Sequence, residues 1–351
     1  MIIYKNTSLS GTEKLSLIDS IGTMLTAGIP ILDTVESMLT EAKGNQRTIL
    51  ETLKEDLNQG INISESFERF PRAFNPIIVS LIKAAEEAGT LETTLKDLTI
   101  SIKKEIEFTD KIKAALLYPV LVFILFNAVF LFILTFAIPR IASVFSRLKI
   151  TLPLPTRILI AVSNVLTSYT IFIILGVILL VIIIVFLYKV KKAVLVNFFV
   201  NFPLISKITR LIDLTQFTRS LSLLLAAGVP INQALNLSVD VVNKREIKTI
   251  IEDSKKSISA GRKLSTTFKK YEKLIPSIMI RVTEAGEKSA SLDKSMQDLN
   301  EYFENRISTT LKSITVLFEP ILLIFVGLLV AVVMLAIIAP IYGLIGKISA
   351  R

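Results

Sequence analysis

Neither cysteine nor histidine occurs in the 351 residues. The first absence excludes a disulfide framework and fits a chain whose bulk lies in a reducing compartment. Together they exclude Ser-His-Asp triads, thiolate nucleophiles and Cys/His zinc sites. A phosphate-binding loop is missing as well. No stretch satisfies G-x-x-x-x-G-K-[ST]; "GRKLS" at Gly261 and "GKIS" at Gly346 lack the partner glycine and the hydroxyl spacing. ATP hydrolysis is therefore not expected. Glu86 with Glu87, and Glu284 with Glu287, are the denser acidic spots. They lack the convergent polar neighbours that catalysis needs. No loop has the regular acidic spacing of a dedicated Ca²⁺ site, which leaves oxygen-ligand cation binding open. No catalytic residue and no cofactor is expected.

What the chain does contain is itself, twice. "TAGIPILDTVESML" at Thr26 returns as "AAGVPINQALNLSV" at Ala226, with Gly28 and Pro30 matching Gly228 and Pro230 at a spacing of 200. From Gly60 onward the spacing is 201. There Phe67 pairs with Phe268, Glu86 with Glu287, Asp97 with Asp298, Pro119 with Pro320 and Pro139 with Pro340. A glycine that tolerates a left-handed exit, followed by a proline suited to the start of a helix, is a turn between helices. In register with the other matches, it marks an internal duplication.

Hydrophobic residues make up 52% of the chain, more than a soluble core absorbs. Three runs hold the excess, over residues 116–138, 169–188 and 317–339. Each is about as long as the roughly 20 residues of a spanning helix. The amino-terminal "MIIYKNTSLSGTEK" has no apolar stretch long enough for a signal-peptide core, so the first repeat is expected on the synthesis side of the membrane. Three crossings then put the second repeat on the same side. Lys and Arg next to the membrane number 10 on that side and 6 on the other, as the positive-inside rule favours. The division expected is a tail over 1–12, a first cytoplasmic bundle over 13–115, an extracytoplasmic loop over 139–168, a second bundle over 189–316 and an extracytoplasmic tail over 340–351, around the three spans.

Within each repeat the apolar residues recur at helical spacing: Leu15, Ile18, Gly22 and Leu25, then Ile77, Leu81, Ile82 and Ala85, then Leu91, Leu95, Leu98 and Ile102. Leu214, Phe217, Leu221 and Leu224, and later Leu292, Met296, Leu299, Phe303 and Ile307, repeat the stripe. This predicts an all-α fold of antiparallel bundles. Thr90 and Ser291 stand where they could cap the last helix of each repeat. No breaker follows Thr90 before Pro119, so residues 91–138 are expected as one helix, roughly 72 Å long. The repeats differ in charge, with a net of −5 over residues 10–115 and +9 over 189–316. That contrast fits solvated faces near anionic lipid, or surfaces that meet an oppositely charged partner. Nucleic acid is disfavoured because aromatic residues do not interleave the basic ones. A transporter subunit is the alternative from another class, against which stands the scarcity of ionisable residues at membrane depth: Glu319 lies at one margin.

The motifs together resemble the inner-membrane platform proteins of type II secretion and type IV pilus assembly, over nearly the whole length. They are "AGIP" and "AGVP", "AEEAGTL" and "GEKSASL" as two forms of a G-E-x-S-G-x-L element, "YP" and "EP" at the outer spans, and "IPRIASVFSRLKITLPLPTRIL" with Pro139, Pro153 and Pro155. The resemblance implies two cytoplasmic six-helix domains and three spans. It also implies partners: a cytoplasmic hexameric ATPase, pilins or pseudopilins, other inner-membrane assembly proteins, and further copies of the chain. Gly28, Pro30, Gly89, Pro119, Pro139, Pro153, Pro155, Gly228, Pro230, Pro320 and Pro340 are the expected structural motif residues, and Glu86, Glu287 and Glu319 the expected partner contacts. Ala290 stands where the element has glycine, and a looser turn is expected there. The chain also lacks an additional amino-terminal segment of many members, which suggests a shorter branch such as competence systems.

Overall fold

The computed structural model describes Tyr4 and residues 6–147, 154–169, 172, 175, 179 and 203–349. Among the described residues every regular element is helical and none is a strand. The first repeat forms α1 (Gly11–Thr26), α2 (Ile31–Leu39), α3 (Gly44–Asn58), α4 (Ile63–Glu68), α5 (Pro76–Ala88) and α6 (Leu91–Phe132). Then come α7 (Ile138–Arg147) and α8 (Leu154–Ser168). The second repeat forms α9 (Pro203–Ala226), α10 (Ile231–Ser238), α11 (Arg245–Ser259), α12 (Leu264–Lys270), α13 (Ser277–Lys288) and α14 (Leu292–Ser349). Six helices recur in the same order.

The starts and stops follow local chemistry. Ser10 accepts from the Glu13 N–H while the Glu13 carboxylate accepts from the Ser10 N–H at 2.7 Å, a reciprocal cap on α1. Gly28 (φ 80°) and Gly228 (φ 78°) take the left-handed conformation. That turn lets the Ile29 N–H reach the Met24 carbonyl at 3.0 Å, and the Val229 N–H the Leu224 carbonyl at 2.9 Å. Pro30 and Pro230 occupy the cap itself and not the first helical position, and their carbonyls accept from Thr34 and Ala234 at 2.9 Å.

Residues 1–111 and 206–308 make one compact unit. Both repeats contribute to a single apolar core, in which Phe67, Phe70, Phe74, Phe217, Phe268 and Phe303 are among the largest fully buried side chains. Phe67 stacks on Phe74 at 3.9 Å between centroids, and Phe217 meets Phe268 edge-on at 6.2 Å. The two bundles thus pool their cores, which enlarges the buried fraction available to either alone. On α1 the buried positions are Leu17, Ile18, Ile21 and Gly22. Leu15 and Leu25 sit at the margin of the core, so the expected stripe there is rotated by part of a turn. The remaining stripes are buried as read, with Leu91 and Leu292 at the margin.

Residues 112–205 and 309–351 make the second unit. Among the described residues two helical stretches, Leu91–Val144 and Leu292–Leu335, are long and apolar enough to cross a membrane. Phe123, Ile124, Leu125, Leu323, Ile324 and Phe325 are exposed along them, as side chains that face lipid are. Phe126 meets Phe325 edge-on at 5.3 Å, and the Thr315 hydroxyl lies 3.4 Å from the Ala115 carbonyl. The expected span over 169–188 lies outside the described residues except at Tyr169, Phe172, Leu175 and Leu179.

One expectation is corrected here. The α-helical register does not run unbroken to residue 138: a π-helical turn occupies Ile133–Ala137. A π-turn inserts a residue and leaves a carbonyl misaligned. The buried Ser163 of α8 donates its hydroxyl to the Leu134 carbonyl, which satisfies that group. Within the expected extracytoplasmic segment 139–168, the described residues are helical, in α7 and α8. The tail from 340 is helical through Ser349. Prolines do not interrupt these helices: Pro119 lies inside α6 and Pro320 and Pro340 inside α14, as membrane-type helices tolerate.

Candidate functional site

The G-E-x-S-G-x-L element builds the same device in both repeats. Glu86, on the last turn of α5, turns its carboxylate to the first turn of α4. It accepts from the Ile63 N–H at 2.7 Å, the Ser64 N–H at 3.3 Å and the Ser64 hydroxyl. Glu287, on the last turn of α13, does the same to α12. It accepts from the Leu264 N–H, the Ser265 N–H at 3.4 Å and the Ser265 hydroxyl. The first N–H groups of a helix have no partner within it and carry partial positive charge. A carboxylate from the neighbouring helix satisfies them and ties the two helices together. These two residues were expected as partner contacts. Both are half-buried and their oxygens already hold internal donors.

The turn that follows completes the element. Gly89 is left-handed (φ 68°), and the Thr90 N–H closes on the Ala85 carbonyl at 2.9 Å. Ala290 takes the same conformation (φ 53°), and the Ser291 N–H closes on the Gly286 carbonyl at 2.9 Å. The looser turn expected at Ala290 is therefore absent; an L-residue bears the strain instead. Gly286 has its own reason to lack a side chain, since a Cβ there would stand 2.7 Å from the Cβ of Ser295. The backbone carbonyls of Thr90 and Ser291 accept from Thr94 and Ser295 at 3.1 Å, which opens α6 and α14.

Other motif residues scatter. Glu319 is exposed on α14 beside Pro320. Pro139 lies in the first turn of α7 and Pro155 in that of α8, while Pro153 lies outside the described residues. Three polar features escaped sequence reasoning. Asp213, 1% exposed, caps α11 by accepting from the Asn243 N–H at 3.0 Å and the Lys244 N–H at 2.7 Å. Asp56, 2% exposed, pairs with Arg69 at 3.0 Å. Arg219 joins the repeats: it pairs with Glu304 of α14, and its guanidinium lies 5.6 Å from the Phe108 ring centre on α6. Beside it a cavity of about 190 Å³ lies between α5, α6 and α9, lined in part by Asn75, Ser101, Glu105, Gln216, Arg219 and Ser220. Only the capping pair had a signal in the sequence, because Ser64 and Glu86 recur as Ser265 and Glu287 at one spacing. Among the described residues no three carboxylates gather as metal ligands.

This architecture is a helical repeat pair in which each repeat runs out into an apolar, membrane-type helix. Comparison with known proteins gives that class a family. The model of type II secretion system protein F matches the chain twice, over residues 17–139 and 217–340, so the family unit coincides with the internal duplication. The chain belongs to this family. It is similar to the type IV pilus assembly protein PilC of Thermus thermophilus, 28% identical over 94% of this chain and 82% of that protein. The type II secretion system protein F of Pseudomonas aeruginosa is 27% identical over 96% and 84%. The type IV pilus assembly protein PilC of the same organism is 26% identical over 92% and 87%.

Proposed function

We propose that the chain is the inner-membrane platform of a type IV filament machine, which couples a cytoplasmic hexameric ATPase to the extraction of pilins or pseudopilins and their assembly into a filament. The observation that carries this reading is the double family match laid on two helical repeats, each continued by an apolar helix. A platform with no phosphate loop of its own takes its work from another protein's nucleotide cycle. In this reading both repeats face the cytoplasm, three helices span the bilayer, the amino terminus is cytoplasmic and the carboxyl terminus extracytoplasmic. Other inner-membrane assembly proteins and further copies complete the platform, and nucleic acid has no part in it. Glu319, exposed at the edge of the third span, is the residue placed toward another membrane protein.

The test is deletion of the gene in its host and complementation with the chain, scored by surface filaments and secreted protein. Loss on deletion, rescue by the wild type and poor rescue by Glu319→Lys are expected. Unchanged filaments and secretion in the deletion strain would sink the proposal. Solute flux through liposomes that hold only the purified chain would instead favour the transporter.

A further inference from the structure

The repeats share a fold and carry opposite charge, and the reversal is not spread evenly. At the spacing of 201 the sign inverts at six equivalent pairs, and four of them lie on α3–α5 and α11–α13. Glu55 answers to Lys256, Glu68 to Lys269 and Glu87 to Lys288, while Lys83 and Glu284 run against the trend, so these four positions carry a net of −2 in the first repeat and +2 in the second. All eight side chains are exposed. In each repeat they come from three successive packed helices, α3 to α5 in the first and α11 to α13 in the second.

In the second repeat the charges share one surface. The Tyr271 hydroxyl donates to Asp253 and so ties the end of α12 to α11. That bond, and then Lys256 and Lys270, hold the Asp253 carboxyl below its ordinary value. Lys288 bonds Glu284 at 2.7 Å. It lowers the Glu284 carboxyl first, with Lys269 and Lys263 adding to the effect. Lys256 and Lys270 thus act on Asp253, and Lys288, Lys269 and Lys263 on Glu284, with the adjacent Lys269 and Lys270 of α12 between the two carboxylates in sequence. Arg262 stands where the first repeat has Ile61, whereas Lys273 answers to another cation, Arg72. Lys54 and Arg69 stand among the acidic groups of the first repeat's face, Arg69 turned to the buried Asp56.

Two faces of one shape and opposite sign, both exposed within one chain, do not neutralise each other internally. We propose that the acidic α3–α5 face of one copy docks on the basic α11–α13 face of a second copy of this chain. Each contact joins different surfaces, so it is heterologous and leaves one face of each kind open, which makes closed rings or rows of platforms. Complementary charge sets the partner and register, and added salt weakens the contact.

The full chain in lipid nanodiscs or detergent, followed by mass photometry and by pull-down between two differently tagged copies, tests this. Two variants are needed: the acidic-face reversal E55K/E68K/E87K and the basic-face reversal K256E/K269E/K288E. Each alone presents like charge on both faces, and its self-association is expected to weaken by about tenfold or more. Mixing the two variants, or combining both triples in one chain, restores opposite faces and is expected to restore association. Unchanged helical circular dichroism certifies the folds. Self-association unmoved by either triple overturns the proposal. So does a mixture that stays apart, which assigns the faces to another protein.

Discussion

Glu86 and Glu287 read as partner contacts in the sequence and as helix clasps in the structure, and stability distinguishes the two roles. Replacing Glu86 by Gln keeps the shape but removes the charge and turns an amide N–H₂ toward groups that are themselves donors, the N–H groups of Ile63 and Ser64 and the Ser64 hydroxyl. Hydrogen bonds to a charged group contribute about 1.5–3 kcal/mol net, and loss of an N-terminal cap costs about 0.5–2 kcal/mol. Because the site is only half-buried, water recovers part of this, and about 2 kcal/mol per repeat is the expected loss. The two clasps lie far apart in sequence and share no partner, so E86Q/E287Q should lose about 4 kcal/mol. For a unit of about two hundred residues, each 1 kcal/mol lowers the melting temperature by about 2–4 °C. The single variants should therefore melt about 4–8 °C below the wild type, followed by circular dichroism of the full chain in detergent. Limited trypsin digestion should cut near α4 or α12 first. The exposed neighbour Glu87 is the control, since Glu87→Gln should melt like the wild type. If E86Q and E287Q melt with that control yet fail in filament assembly, the clasp reasoning is refuted and the partner reading stands.

Ala290→Gly relieves the left-handed strain and should stabilise by about 1 kcal/mol, whereas Gly89→Ala should destabilise by a similar amount; denaturant midpoints of the two variants check the sign. Arg69→Met strands the buried Asp56 carboxylate and should cost about 3–5 kcal/mol, much of it regained in D56L/R69M. Glu13 is held below its ordinary value of 4.5 by the Ser10 N–H and hydroxyl. A depressed carboxyl stabilises above its unfolded value and loses that contribution as pH falls through its folded one. The stability difference between wild type and Glu13→Gln should thus be full at neutral pH and vanish in acid. Ser163→Ala removes the donor to the Leu134 carbonyl and should cost about 0.6–2 kcal/mol in the membrane unit, read by unfolding in mixed micelles.

The helices were legible because apolar residues at positions such as Ile77, Leu81, Ile82 and Ala85 fix one face by period alone. The Gly-Pro turns were legible because few residues tolerate the conformation at Gly28 and Gly228. Pooling of the two cores was not, since a stripe that packs within its own repeat looks the same as one that reaches the other. Arg219 and Glu304 lie 85 positions apart with no periodic relation, so nothing local marks them as a pair. The clasp was half legible: the recurrence of Glu86 as Glu287 signals constraint, but a recurring charge on a helix end points outward or inward equally well until the first turn of α4 is seen beside it. The π-turn at Ile133–Ala137 left no trace, because an apolar run has no period from which one extra residue can be detected.

Duplication within one chain offers a control that a single domain lacks. Positions that stay the same across it, Gly28 with Gly228, Ser64 with Ser265 and Glu86 with Glu287, are those where a backbone conformation or an orphan N–H group admits few side chains. Such identity reports on folding. At Glu55, Glu68, Lys83 and Glu87 the fold is indifferent, because an exposed charge contributes little to stability either way. On α5 and α13 the inversion exchanges the partners of one i,i+4 pair, Lys288 with Glu284, whereas Glu55 and Glu68 invert without such an exchange. In the proposed docking these inversions answer to the face that each surface meets, so the work specific to each half is to be sought where the copies disagree.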